Sequence, residues 1–297
     1  MKGVIAEGVA FDPVSRDFFV SSVRERKVWR VTPDGEFHDF GFGERGDGRP
    51  FGRTVDPERD CLWVALNWPG GTNPNGTTSQ SMSGIRQFAL GDDQGGMIGC
   101  FFSDEVEHVL GDLVVGPDRA IWATDSKTPA LYRLDPDAEV KQRLQPVPIG
   151  DGWRNPQGLA FSERGELFVA DYPRGIARVD PVAGSHAILK GSEERLRGVD
   201  GLYWHDGALY AIQNGTKTHR VLRVELDASR TAVERIDVLL EGPPLDDPTL
   251  GVFAEGAFFV NAASGWSDYT ETGERADGAG RPLTEHRLVR IELDARR

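Results

Sequence analysis

One unit of sequence recurs six times in this chain of 297 residues. An apolar run leads through a short Asp/Pro/Gly turn into a second apolar run that ends in small or polar residues. The first copy is Gly8-Val9-Ala10-Phe11-Asp12-Pro13 followed by Phe18-Phe19-Val20-Ser21-Ser22. Taking Phe11, Val55, Val115, Phe161, Trp204 and Phe253 as equivalent positions, the spacings are 44, 60, 46, 43 and 49 residues. A period near 45 residues, with paired strands bounded by turn residues, is that of propeller blades. Alternating segments such as Lys27-Val28-Trp29-Arg30-Val31 and Arg287-Leu288-Val289-Arg290-Ile291 read as half-buried third strands. A fourth strand is readable in several copies, within 140–147 and 235–240 for example, but no full fourth strand is legible in the last. No segment shows helical periodicity with caps. The expected fold is therefore an all-β, six-bladed propeller of four-stranded antiparallel sheets occupying 1–297 as one domain.

Composition limits the partners. A formal charge of −13 disfavours nucleic acid and anionic membrane, which select for clustered Lys and Arg. The chain runs from Met1-Lys2-Gly3 straight into the first repeat, without an apolar leader or spanning run, and reads as cytoplasmic. Cys61 and Cys100 are expected to be reduced, buried thiols. A ring that closes its own sheets is expected to be a monomer or weak homo-oligomer with a small-molecule substrate as partner.

Several apparent motifs carry no chemistry. Gly41-Phe42-Gly43-Glu44-Arg45-Gly46 has the GxGxxG form but lacks the strand, helix and parallel crossover of a dinucleotide site, so it reads as a loop. Asn75-Gly76-Thr77 and Asn214-Gly215-Thr216 match glycosylation acceptors only by pattern. There is no GxSxG elbow, no CxxC and no His pair at metal-ligand spacing. The six histidines, His38, His108, His186, His205, His219 and His286, fall mostly in expected turns and loops and read as solvated.

Up-and-down strands place the start of each first strand and the end of each second strand on one rim. Four residues before each apolar anchor stand Glu7, Phe51, Gly111, Gln157, Asp200 and Thr249, which converge on the axis. Two carboxylates and an amide carbonyl at that level point to a hard cation, since unpaired buried charge is costly. A second ring is expected from Ser22, Leu66, Asp125, Asp171, Gln213 and Ala262, with Asn67, Asn214 and Asn261 beside it; some of these are expected to cap turns. The two longest interruptions, 67–83 and 263–286, follow second strands and should overhang the same rim as lids.

At these residues the chain resembles the gluconolactonase, regucalcin and senescence-marker-protein family of six-bladed propellers. The resemblance runs through Glu7-Gly8, Pro156-Gln157-Gly158-Leu159-Ala160-Phe161 with Val169-Ala170-Asp171, and Val199-Asp200-Gly201-Leu202. It implies a divalent cation on the axis, usually calcium, held by a Glu, two Asn and an Asp, which polarises a lactone carbonyl while the Asp assists an attacking water. Glu7 and Asp200 match the Glu and Asp; Gln157 stands for one Asn; Gly111 stands for the other, with Asp112 or water to compensate. The substrate-binding Arg of the family is Val109 here.

The expected activity is hydrolysis of a lactone or related ester. Glu7, Gln157 and Asp200 would hold Ca2+, or else Mn2+, Mg2+ or Zn2+, and Asp200 would activate water. Arg53, Asn67, Asp112, Asp171 and Asn214 would contact substrate. The alternative is a non-catalytic propeller that binds a small molecule or a protein loop in the same funnel. A weaker alternative is a strictosidine-synthase-like propeller that uses an axial Glu without metal.

Overall fold

Runs of β-branched and aromatic residues, broken by Gly, Pro and Asp, set where strands begin and end. The computed structural model describes residues 2–41, 48–68, 70–72, 78–92, 95–103, 107–135, 143–270, 275–276 and 282–293. It is an all-β, six-bladed propeller, as the repeat predicts. The innermost strands are Ala6–Phe11, Arg49–Asp56, Leu110–Val115, Pro156–Phe161, Val199–His205 and Gly251–Ala254. Each pairs antiparallel with the second strand of its own repeat, and five sheets have four strands. Among the described residues the sixth sheet has three, Gly251–Ala254, Ala257–Ala263 and Arg287–Glu292. The third strand of the second blade, Met82–Ala89, follows the first long interruption, within which Gly71–Thr72 pairs with Thr78–Ser79.

The apolar core is divided among the blade interfaces. Phe168, Ile176, Leu202 and Leu222 pack blade four on blade five; Leu62, Val64, Phe19 and Phe40 pack blade two on blade one. At roughly 1.5–3 kcal/mol for each large side chain removed from water, these seams hold the ring. The closing seam is thinner: Val4, Ala6, Val9 and Val20 are its fully buried members, against Val252 and Leu288 of blade six. Hydrogen bonds reinforce it. Gly3 N donates to Thr284 O, Ala6 N to Ser264 O and Leu250 N to Glu7 O.

Five of the six inner strands carry a register shift just where the axial residues sit, between Ala6 and Val9, Pro50 and Arg53, Leu110 and Leu113, Pro156 and Leu159, and Val199 and Gly201. A bulge breaks the strict alternation of side chains and re-aims one of them. The glycines beside it permit close approach. A Cβ on Gly158 would lie 2.3 Å from Leu202 N, and one on Gly8 2.6 Å from Phe51 O.

Neither cysteine is in a disulfide; Cys61 is buried and Cys100 half-buried. The histidines correct the expectation of solvated loops. His38, His186 and His205 lie in strands. His108 is buried with Nδ1 2.5 Å from Asp125 Oδ2, while burial pulls His286 down to about 4. Among the described residues no helix is long and apolar enough to cross a membrane. The GxGxxG run and Asn75-Gly76-Thr77 lie largely or wholly outside the described residues.

Candidate functional site

Glu7, Gln157, Asp200 and Asn214 line one cavity of about 290 Å³ at the rim where the inner strands begin. Phe51, Gly111 and Thr249 complete the expected axial ring on the same wall. Thus all six positions four residues ahead of the apolar anchors meet at one place. The bulges explain why residues from separate blades converge there.

Each carboxylate is held through one oxygen. Trp266 Nε1 donates to Glu7 Oε2 at 2.5 Å, and Asn214 Nδ2 donates to Asp200 Oδ2 at 2.8 Å. Asn214 is itself fixed, since its Nδ2 also reaches Pro248 O and its Oδ1 accepts from the Tyr172 hydroxyl. Burial, with Asp200 beside it, pushes the Glu7 carboxyl well above the usual carboxylate range. Burial likewise raises Asp200 to about 6, eased by the Asn214 bond and reinforced by Asp247.

Gly111 and Gln157 form a complementary pair. A Cβ at position 111 would lie 3.3 Å from Gln157 Oε1, so the longer amide side chain occupies the space left by the absent one. Gln157 Nε2 is anchored on Asn155 Oδ1 at 2.5 Å, which leaves its carbonyl oxygen out of that bond.

Other expected substrate contacts lie elsewhere. Asn67 is buried, bonding Leu110 through both amide atoms and accepting from Ser83 Oγ. Asp171 accepts from the amides of Arg154 and Asn155, and Asp125 does the same for Val109, Lys127 and Thr128. Such side chains close turns, as strand-end Asp commonly does. None of them lines the cavity. Arg53 and Asp112 lie beneath it, further along the inner strands, and line a second cavity of about 270 Å³ toward the opposite mouth. Arg53 donates to Phe19 O and Phe51 O at 2.9 Å each, and burial pulls it down to about 9. Asp112 accepts from Leu113 N and is pushed up by burial to about 7.

Of the two expected lids, 263–286 reaches the site through Trp266, which lies 6.1 Å from the ring of Phe51. No described residue of the other, 67–83, lines the cavity. Asp247, unforeseen in the sequence, does line it. It lies in an irregular stretch ahead of the sixth inner strand, outside the repeat, and only its left-handed φ of 56° marks it.

The donor set fits a hard cation. Two carboxylates and an amide carbonyl offer oxygen alone, in a place where burial penalises both charges and a cation would offset that cost. Among the described residues no three His, Cys, Asp or Glu side chains converge at metal-ligating spacing. Gln157 and water would have to supply the remaining ligands.

No family model matches the chain. A curated gluconolactonase from Zymomonas mobilis subsp. mobilis is 33% identical over 66 residues, 22% of this chain and 18% of that protein. The likeness thus spans less than a fifth of the relative's length. A gluconolactonase from Xanthomonas campestris superposes with a TM-score of 0.60 at 19% identity, covering 97% of this chain and 87% of that one. A putative oxidoreductase (glucose dehydrogenase) from Thermus thermophilus superposes with a TM-score of 0.64 at 17% identity, covering 97% and 98%. These structural likenesses establish the propeller fold, which hosts more than one chemistry.

Proposed function

We propose that this divergent, gluconolactonase-like propeller hydrolyses a lactone or related ester in the axial cavity. The observation that carries the reading is the pair of buried carboxylates, Glu7 and Asp200, facing one cavity with an amide-bearing residue, Gln157, beside them. Glu7, Gln157 and Asp200 would hold a divalent cation, calcium first, with manganese, magnesium and zinc as the other candidates. Such an ion, when bound, polarises a carbonyl and makes a coordinated water more acidic.

The chain's own groups supply the rest. Asn214 occupies Oδ2 of Asp200 and orients the carboxylate, so that Oδ1 can take the proton of an attacking water. A group titrating at about 6 is ionised at neutral pH and still close enough in affinity to accept a proton. Trp266 occupies Oε2 of Glu7, leaving Oε1 for the ion, and with Phe51 it walls one side of the cavity against water.

A thermal-shift titration of EDTA-stripped protein with the four ions, run beside Asp200→Ala and followed by a lactone panel, tests this. A saturable rise in wild type that vanishes in the variant, with ion-dependent hydrolysis, is expected. No shift with any ion and no hydrolysis would sink the proposal in favour of a non-catalytic binding propeller. That second reading draws on Gly111 and Val109, which line the cavity where the family carries an Asn and an Arg.

A further inference from the structure

The cavity wall has an unusual chemical makeup. Three carboxylates, Glu7, Asp200 and Asp247, share it with three aromatic side chains, Phe51, Tyr172 and Trp266. Among the described residues that line it there is no Lys, Arg or His. An anionic ligand would meet only like charge and no basic partner. The three carboxylates also do not gather at metal-ligating spacing. They are distributed around a volume of about 290 Å³, which has room for a small organic molecule.

The aromatic side chains are half-buried and held in place. Trp266 is fixed by Glu7, and its ring is tilted 51° against that of Phe51. Tyr172 is tethered by its hydroxyl to Asn214, which leaves the ring as wall. Asp247 accepts from the amide of Ser267, the neighbour of Trp266, at 3.1 Å, so the outer carboxylate and the indole belong to one braced unit. An aromatic face attracts a cation through its quadrupole, and the attraction grows when water is excluded. The net charge of −13 would draw cations toward such a funnel.

We infer that this cavity recognises an organic ammonium group, held between Asp247, Asp200 and the rings of Trp266, Phe51 and Tyr172. Where it concerns catalysis the inference rests on the hydrolase reading, and it then specifies a lactone or ester that carries a quaternary or protonated amine. Recognition itself needs no hydrolysis.

The two parts separate experimentally. Binding of choline to the EDTA-treated full chain is followed by Trp fluorescence and calorimetry, beside its uncharged carbon analogue 3,3-dimethylbutan-1-ol. Choline is expected to bind saturably and the neutral analogue about ten-fold more weakly, the size of a desolvated cation–aromatic contact. Asp247→Asn and Trp266→Leu, each checked for folding by circular dichroism, are each expected to weaken choline about five-fold or more, in line with the loss of one such contact. Equal binding of the two probes, no binding of choline, or unchanged choline affinity in both variants would overturn the inference. With ion-loaded protein, choline esters are compared with 3,3-dimethylbutyl esters and neutral lactones. Choline binding without turnover of any of them would sustain the recognition site and remove the hydrolase reading. Turnover of neutral lactones without choline binding would do the reverse.

Discussion

The indole Nε1 of Trp266 donates to Oε2 of Glu7 at 2.5 Å, joining residues 259 positions apart in sequence. The backbone of Glu7 is gripped by the same blade, since its carbonyl oxygen accepts from Asn261 Nδ2 and Thr249 Oγ1. His286 closes the arrangement with Nε2 3.0 Å from Asn261 Oδ1. The seam that closes the ring and the wall of the candidate site are therefore one structure.

Replacing Trp266 by Phe should keep much of the contact with Phe51 but leave a buried Glu7 oxygen without its donor. The expected loss is about 1–3 kcal/mol, the cost of an unsatisfied buried polar group. Urea unfolding at neutral pH measures it; an unchanged midpoint would mean that the bond contributes nothing in solution.

In ion-stripped protein, Asp112 and Asp200 should together withdraw stability as pH rises from about 4 to 7, outweighing the opposite contribution of His286, which the fold holds at about 4. Asp112 titrates at about 7 and Asp200 at about 6 in the folded state, against a reference of 3.8. At these two carboxyls the folded chain thus holds more protons than the unfolded chain over that interval, so their share of stability falls as pH increases. The contribution is complete below the unfolded value and gone above the folded ones. Each group accounts for on the order of 1 kcal/mol per pH unit across its window. Melting curves of wild type and Asp112→Asn isolate one share: the variant should gain on wild type between about pH 4 and 7, and parallel curves over that interval would contradict the assignment.

Gly158→Ala should damage both fold and site. Its Cβ would fall 2.3 Å from Leu202 N and 2.5 Å from Asp200 O, backbone atoms that cannot swing aside. A loss of about 3 kcal/mol or more is expected, with weakened ion binding through displaced Asp200. Gly207, with nothing within 4 Å of its Cβ position, offers the contrast. Gly207→Ala should cost only about 1 kcal/mol for its positive φ, as denaturant titration would show.

Gly111→Asn alone should crowd Gln157, given the 3.3 Å approach to Oε1. Paired with Gln157→Asn, it should supply a second amide ligand and tighten calcium binding about ten-fold, worth some 1.4 kcal/mol. Calorimetry of the two single variants and the double variant would reveal the coupling. Strict additivity would show that the two positions do not share space.

The repeat alone was enough to assign the all-β propeller, its six inner strands and the ring of Glu7, Phe51, Gly111, Gln157, Asp200 and Thr249. These follow from short-range pattern: apolar alternation sets a strand's faces, Asp/Pro/Gly sets its turn, and equal offsets within equal units land at equal height. The same pattern could not separate Asn214, which orients Asp200, from Asn67 and Asp171, which close turns with the same chemical groups. It placed Arg53 and Asp112 on the right strands but on the wrong side of the cavity floor, because a bulge changes which way a strand's side chains point. It marked 263–286 as an insertion over the site without the bond from Trp266 to Glu7, and it passed over Asp247. Those contacts depend on closure of the ring, which brings the first and sixth blades together across almost the whole chain, and local sequence carries no record of such a partner.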